Sequence, residues 1–202
     1  MTLNPIARFI ALATTSFCCL MLGTVAQAQN PPGKDSAPAL MQQMAGTWNV
    51  RQRMWPGSGA EAITLPAAIA RRRLVEGAYL EEVMEPAQKN AREPFTRTAY
   101  FNYNAVNQQY EYFSIDSRAP QMMSEKSYDS GQDPTGKGTI KLYGGSFVAP
   151  RWGDAANAAF MYRLTVGAVE NDRQVVQLFL TPQSGSSAKE FLAFEYVYTR
   201  QR

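Results

Sequence analysis

From Thr47 onward, apolar residues recur at every second position, and this alternation constrains the chain more than any other feature. Side chains that return to one face every two residues belong to extended strands; a helix would return them every three to four. The alternation predicts strands over Thr47–Met54, Leu74–Met84, Thr96–Tyr103, Tyr110–Asp116, Met122–Tyr128 and Thr139–Tyr143. Three stronger strands close the chain. They carry Phe160, Tyr162, Leu164 and Val166, then Val176, Leu178 and Leu180 backed by Val175 and Phe179, then Leu192, Phe194, Tyr196 and Tyr198.

The segments between these runs hold turn residues. Residues 56–68 are rich in Pro, Gly and Ala and read as a loop. Gly77 reads as a bulge inside one long strand, and Gly144-Gly145 as the end of another. Asn104–Asn107, Asp129–Gly138, Glu170–Asp172 and Gln183–Ser187 read as turns. Connections this short favour antiparallel pairing of sequential strands. The expected fold class is therefore all-β: an antiparallel up-and-down barrel of about 8–10 strands, with a β-sandwich as the competing architecture. The barrel is favoured because no long Greek-key crossover is present and because closure removes the two exposed edges of a meander. One short helix precedes it. Ser36 is placed to cap it, Pro38 lies in its first turn, Leu40, Met41 and Met44 form its apolar face, and Gly46 ends it.

The N-terminus reads differently. Arg8 precedes an apolar stretch from Phe9 to Val25, and Ala26-Gln27-Ala28 offers a small-x-small cleavage site. This predicts a signal peptide over residues 1–28, cleaved after Ala28, a polar leader over 29–36, and one domain over 37–202 in a periplasmic or secreted protein. The apolar stretch is at the short limit for a bilayer span and no basic stop-transfer cluster follows it, so no stable membrane insertion is expected after cleavage. Both cysteines, Cys18 and Cys19, lie in this segment, and Phe17 before Cys18 disfavours lipidation. The mature chain would then hold no thiol and no disulfide.

Composition excludes further chemistries. The chain has no histidine, which removes the Ser-His-Asp triad, a histidine general base, histidine-built zinc sites and histidine-ligated haem. The net charge of +3 is too small to imply nucleic acid as a partner. Arg71-Arg72-Arg73 is the one basic run, and it reads as a solvated strand start. The loop Asp129–Gly138 lacks the alternating acidic ligands of a calcium loop, and no metal or cofactor is implied.

Two motifs carry a resemblance. Gly46-Thr47-Trp48 opens the first strand and Tyr196-Val197-Tyr198-Thr199-Arg200 ends the last. Together they resemble the lipocalin (calycin) pattern. That resemblance implies Trp48 as the barrel floor, with the Arg200 guanidinium lying across its indole. The chain also resembles a bacterial exported family, domain-of-unknown-function family 1579. The matching pieces are Gly46-Thr47-Trp48, Arg73–Leu80 (RLVEGAYL), Pro94-Phe95, Tyr100–Asn104 (YFNYN), Tyr110–Ser117 (YEYFSIDS), Tyr128-Asp129, Leu142–Gly145 (LYGG) and Tyr198-Thr199-Arg200, in family order. Asn104 and Phe113 depart from the Asp and Trp usual there. The resemblance implies a fold and no activity.

Polar residues on shared strand faces are the candidate ligand-binding groups: Tyr79 with Glu81, and Tyr112 with Ser114 and Asp116. Tyr100, Tyr143 and Tyr162 could stack on a flat ligand. In the competing reading Asp116 caps a turn and the tyrosines are ordinary packing residues. Glu81 and Glu82 point to opposite faces and cannot act on one substrate. The leading expectation is a barrel that binds a small, mostly apolar or aromatic molecule in its lumen. The alternatives are a packed envelope interaction module and a hydrolase or isomerase using Asp116 or Glu81 with tyrosines. The sequence sets no oligomeric state.

Overall fold

The computed structural model describes residues 36–126, 138–152, 155–183 and 189–202. The expected signal peptide, nearly all of the leader, the Tyr128-Asp129 motif and most of the Asp129–Gly138 turn lie outside the described residues. Helix α1 (Ala37–Met44) is followed by ten strands: β1 (Gly46–Met54), β2 (Ile63–Val75), β3 (Tyr79–Pro86), β4 (Arg97–Asn104), β5 (Gln109–Asp116), β6 (Ala119–Lys126), β7 (Ile140–Trp152), β8 (Ala155–Val166), β9 (Arg173–Pro182) and β10 (Phe191–Arg200). Each strand pairs antiparallel with its sequence neighbour, and β1 pairs with β10, closing the barrel. The all-β up-and-down barrel with a short N-terminal helix is the fold of this chain.

Three boundaries differ from the sequence reading, each at a glycine or proline. Leu74–Met84 is not one strand with a bulge at Gly77. It is a hairpin: Glu76 and Gly77 take φ values of +51° and +67°, and the Ala78 N–H donates to the Val75 carbonyl at 3.1 Å. Two successive left-handed residues reverse the chain with the twist that a tight hairpin requires. Residues 63–68 are not loop but the start of β2. Pro66 is accommodated because the β1–β2 register shifts between Val50 and Gln52, and a proline fits a bulge where no ladder donor is needed. Gly144-Gly145 does not end β7. It lies at a register shift against β8, between Tyr143 and Ser146, and the strand runs on to Trp152.

The α1 N-terminus is capped as expected, with the Ala39 N–H donating to the Ser36 hydroxyl at 3.3 Å. Its apolar residues Leu40, Met41 and Met44 are buried in the main core with Trp48, Val50, Ala70, Met84, Leu142 and Tyr198. A second core, built on Ala149, Phe160, Tyr162, Leu180 and Ala193, fills the β7–β10 side and is joined by Met123 and Phe191. One junction of the wall is thin. Among the described residues, β6 and β7 pair only at Glu125–Gly144 and Lys126–Tyr143, so the ladder between them does not continue past Gly144.

Candidate functional site

The alternation of each strand divides the polar residues between lumen and outer wall. On the β2–β3 hairpin Arg73 pairs with Glu81 and Arg72 with Glu82 in direct cross-strand register. These neighbouring pairs face opposite ways. Arg73 and Glu81 form an ion pair on the outer wall, and Tyr100 donates to Glu81 at 2.9 Å. Tyr79 is 46% exposed on the same side. The predicted ligand residues Tyr79, Glu81 and Tyr100 are therefore not in the lumen. Tyr143 also lies on the outer wall, 37% exposed. Tyr112, Ser114, Asp116 and Tyr162 do face inward; Ser114 and Tyr162 are buried.

Inside the barrel lies a cluster that the sequence reading missed. Glu82 is buried and sits between two guanidinium groups. Its Oε2 accepts from Arg72 Nε at 2.7 Å and its Oε1 from Arg97 Nη1 at 2.7 Å. Tyr198 donates to the same Oε1 at 3.3 Å. Arg72 also donates to the Gln174 side-chain carbonyl, and Gln174 in turn donates to the Gly167 carbonyl at 2.8 Å. Arg97 donates to the Tyr112 hydroxyl. Arg72 is thus not solvated, as the basic run suggested, but only 8% exposed. The strand alternation places it inside while Arg71 and Arg73 stay outside.

Aromatic rings extend this cluster along the lumen. The Arg72 guanidinium lies 4.0 Å from the Tyr198 ring centroid and 5.5 Å from that of Trp48. On the far side of Trp48, the Arg200 guanidinium is 4.2 Å from the indole centroid. Arg200 donates to the Ala45 carbonyl at 2.6 Å and to the Gln43 carbonyl, while Trp48 Nε1 donates to the Met44 carbonyl at 2.9 Å. The carbonyls of Gln43, Met44 and the C-cap residue Ala45, which have no partner within the helix, are satisfied this way. Gly46 makes the approach possible: its φ is +124° and a Cβ there would lie 2.7 Å from Arg200 Nη1.

Toward the other end, the Arg97 guanidinium lies 5.4 Å from the Tyr196 ring centroid. Beyond it Asp116 chelates Arg118, with Nε–Oδ1 at 2.9 Å and Nη2–Oδ2 at 2.6 Å. Asp116 also accepts from the Arg118 backbone N–H at 2.9 Å, so it does cap the β5–β6 turn. Arg118 stacks on Phe95 at 3.8 Å and reaches the side-chain carbonyl of Gln52 on β1.

The electrostatics follow from this alternation of charge. Burial pushes the Glu82 carboxyl up, but the Arg72 and Arg97 charges outweigh it and hold the group below the ordinary carboxylate range. Burial likewise pushes Asp116 up, and its Arg118 bonds and charge bring it below its ordinary value. Tyr198 and Tyr196 are raised by burial and remain neutral phenols at neutral pH. General acid or base work near pH 7 calls for a carboxyl raised toward that pH. Neither inward carboxyl is shifted that way.

The space left around the cluster is a cavity of about 30 Å³, bordered by Arg72, Glu82, Arg97, Tyr112, Gln174 and Tyr198. A different hollow, an open groove of about 520 Å³ on the outside of the helix-capped end, is bordered by Gln43, Val169, Asn171, Asp172, Arg200 and Arg202.

The model of the protein of unknown function family DUF1579 matches residues 35–200. The chain belongs to this family. The DUF1579 match spans α1 and all ten strands, so the Trp48–Arg200 floor and the Arg72–Glu82–Arg97 cluster both lie within it. No curated protein matches the chain. Membership in DUF1579 brings a fold without an assigned activity.

Proposed function

We propose that this protein is an exported, packed-barrel module that acts through its outer surface, and that its lumen is a scaffold. The observation that carries this reading is the filling of the lumen. Ligand pockets for small molecules are about 300–1,000 Å³ and predominantly apolar. Around the central cluster only about 30 Å³ is left, between the charged Arg72, Glu82 and Arg97 and the apolar Leu80, Phe101 and Val176. The other side of the barrel holds the packed side chains of the second core.

Apolar residues on the outer wall add to the case. Ile115 and Met122 stand directly opposite each other on β5 and β6, 46% and 78% exposed, and Met161 is exposed on β8. Paired exposed apolar groups of this kind suit contact with another macromolecule. The test is a titration of the purified barrel with an apolar fluorescent probe such as N-phenyl-1-naphthylamine, following both probe and tryptophan emission. The packed-barrel reading expects no saturable binding. Saturable one-to-one binding with quenching of Trp48 would overturn it in favour of a lumenal ligand carrier.

A further inference from the structure

The ladder fixes which backbone groups of β6 face away from β5. The Ser117 N–H donates to the Thr96 carbonyl at 3.0 Å, one step beyond the Arg97–Asp116 pair of β4 and β5. Bonded and non-bonded pairs alternate in an antiparallel ladder. Thr98–Ile115 and Tyr100–Phe113 are therefore bonded pairs, and Tyr112, Ser114 and Asp116 turn their backbone groups to β6. Their partners there are Glu125, Met123 and Ala119. Pro120, Met122 and Ser124 alternate with those partners and turn theirs toward β7. Lys126 continues that series, and it is the residue that pairs with Tyr143 on β7. From there toward Ala119 the β6–β7 ladder does not continue. The Ser124 carbonyl accepts from Tyr162, and Pro120 has no N–H. The Ser124 N–H and both backbone groups of Met122 have no partner among the described residues.

The side chain at the centre of this edge is apolar. Met122 stands opposite Ile115 on the outer wall, and both are exposed. Sheet edges are commonly blunted by charged side chains, and an open apolar edge is a template for another strand.

We propose that this edge pairs with the same edge of a second copy of the chain, β6 antiparallel to β6 about a two-fold axis at Met122. In that register Met122 faces Met122 of the second copy, and each N–H donates to the other's carbonyl. Ser124 faces Pro120 of the second copy, and its N–H donates to the proline carbonyl. The N–H that proline lacks is matched by a Ser124 carbonyl already taken by Tyr162. A strand with an ordinary residue at that position would point a surplus donor there. On the outer face, Ile115 and Met122 of the two copies join in one apolar row. The proposal rests on the packed-barrel reading, in which the outer surface makes the contact, and names a second copy as the partner. The apolar-probe titration reads the lumen and not the oligomeric state, so a failed dimer is told apart from a failed packed barrel.

Sedimentation velocity of the mature protein should show a monomer–dimer equilibrium that moves toward dimer with concentration. Met122→Lys sets two like charges opposite each other and should weaken the dimer by about tenfold or more. Ser124→Pro deletes a donor that no described residue of its own chain uses. It should weaken the dimer likewise, with Tm at monomeric concentration unchanged. Should it fail to fold, Met122→Lys, at an exposed side chain, still decides. Opposite residues of a bonded pair lie about 5.5 Å apart at Cα, within disulfide reach. Cys18 and Cys19 both precede Ala28, so in the mature chain Met122→Cys adds a lone thiol. Under copper–phenanthroline it should cross-link faster than Val106→Cys, whose position in the β4–β5 turn is more exposed. A monomer at every concentration, a dimer that both substitutions leave intact, or cross-linking no faster at Met122→Cys than at Val106→Cys would each overturn the proposal.

Discussion

The helix-capped end of the barrel and the β6–β7 junction solve the same problem by different means. At the capped end the wall is a continuous ladder, β10–β1–β2–β3, and side chains reinforce it: Trp48, Arg200 and α1 lock together through three helix carbonyls. At the β6–β7 junction two ladder pairs are present among the described residues, and a side chain adds to them past Gly144. Tyr162, from β8, reaches past Gly144 and donates to the Ser124 carbonyl on β6 at 3.4 Å. A Cβ on Gly144 would sit inside the Tyr162 ring, so the glycine is what lets the tyrosine through. A long ladder distributes closure over many bonds; past Gly144 the bond that reaches β6 among the described residues comes from a tyrosine side chain. The capped end should therefore be the stable half and the junction the first place to open.

Experiments can break or sharpen this contrast. The largest effect is expected at the floor. Trp48→Ala removes a fully buried indole and two cation–π partners, and should cost about 3–5 kcal/mol in urea unfolding. A loss near zero would mean that the capped end is not the stable half.

Acid should act next, and on the lumen. The folded values of Glu82 and Asp116 lie below their unfolded ones, so their ion pairs contribute full stability above about pH 4–5 and lose it as pH falls through the folded values. With no histidine in the chain, stability measured by Tm should be flat between about pH 5.5 and 8 and drop only below about pH 4. A midpoint near pH 6 would contradict the lowered carboxyl values.

At the junction, Gly144→Ala should cost about 1–3 kcal/mol through overpacking against Tyr162. Smallest is Tyr162→Phe, which keeps the ring and loses one long hydrogen bond. It should cost about 1 kcal/mol or less while speeding amide exchange in β6 relative to β1. Equal exchange in the two strands would remove the distinction.

Much of the barrel was legible because period-two alternation survives every local irregularity. The last two strands and the Glu170–Asp172 turn were read nearly in place, and the short helix down to its Ser36 cap. The largest loss traces to one hairpin. Glu76-Gly77 is not one of the common turn dipeptides, so Leu74–Met84, entered through Arg71–Arg73, was read as one strand with a bulge instead of two strands folded about Gly77. Folded there, the same residues put Arg72 opposite Glu82 and Arg73 opposite Glu81. The central ion pair was thus present in the sequence as a self-complementary charge pattern, but only a correct turn reveals it. Arg97, Gln174 and Tyr198 join from strands far away in sequence, and no local pattern announces them. Tyr79 and Glu81 share a face of β3, as the alternation implies, and that face is the outer one; alternation alone does not say which face turns inward.

The central claim is that side chains, not an organic ligand, fill this barrel. Native mass spectrometry of the protein purified from its own host tests it most directly. The account predicts the mass of the polypeptide alone under conditions that preserve the fold. A stoichiometric organic adduct that leaves only on unfolding would contradict it.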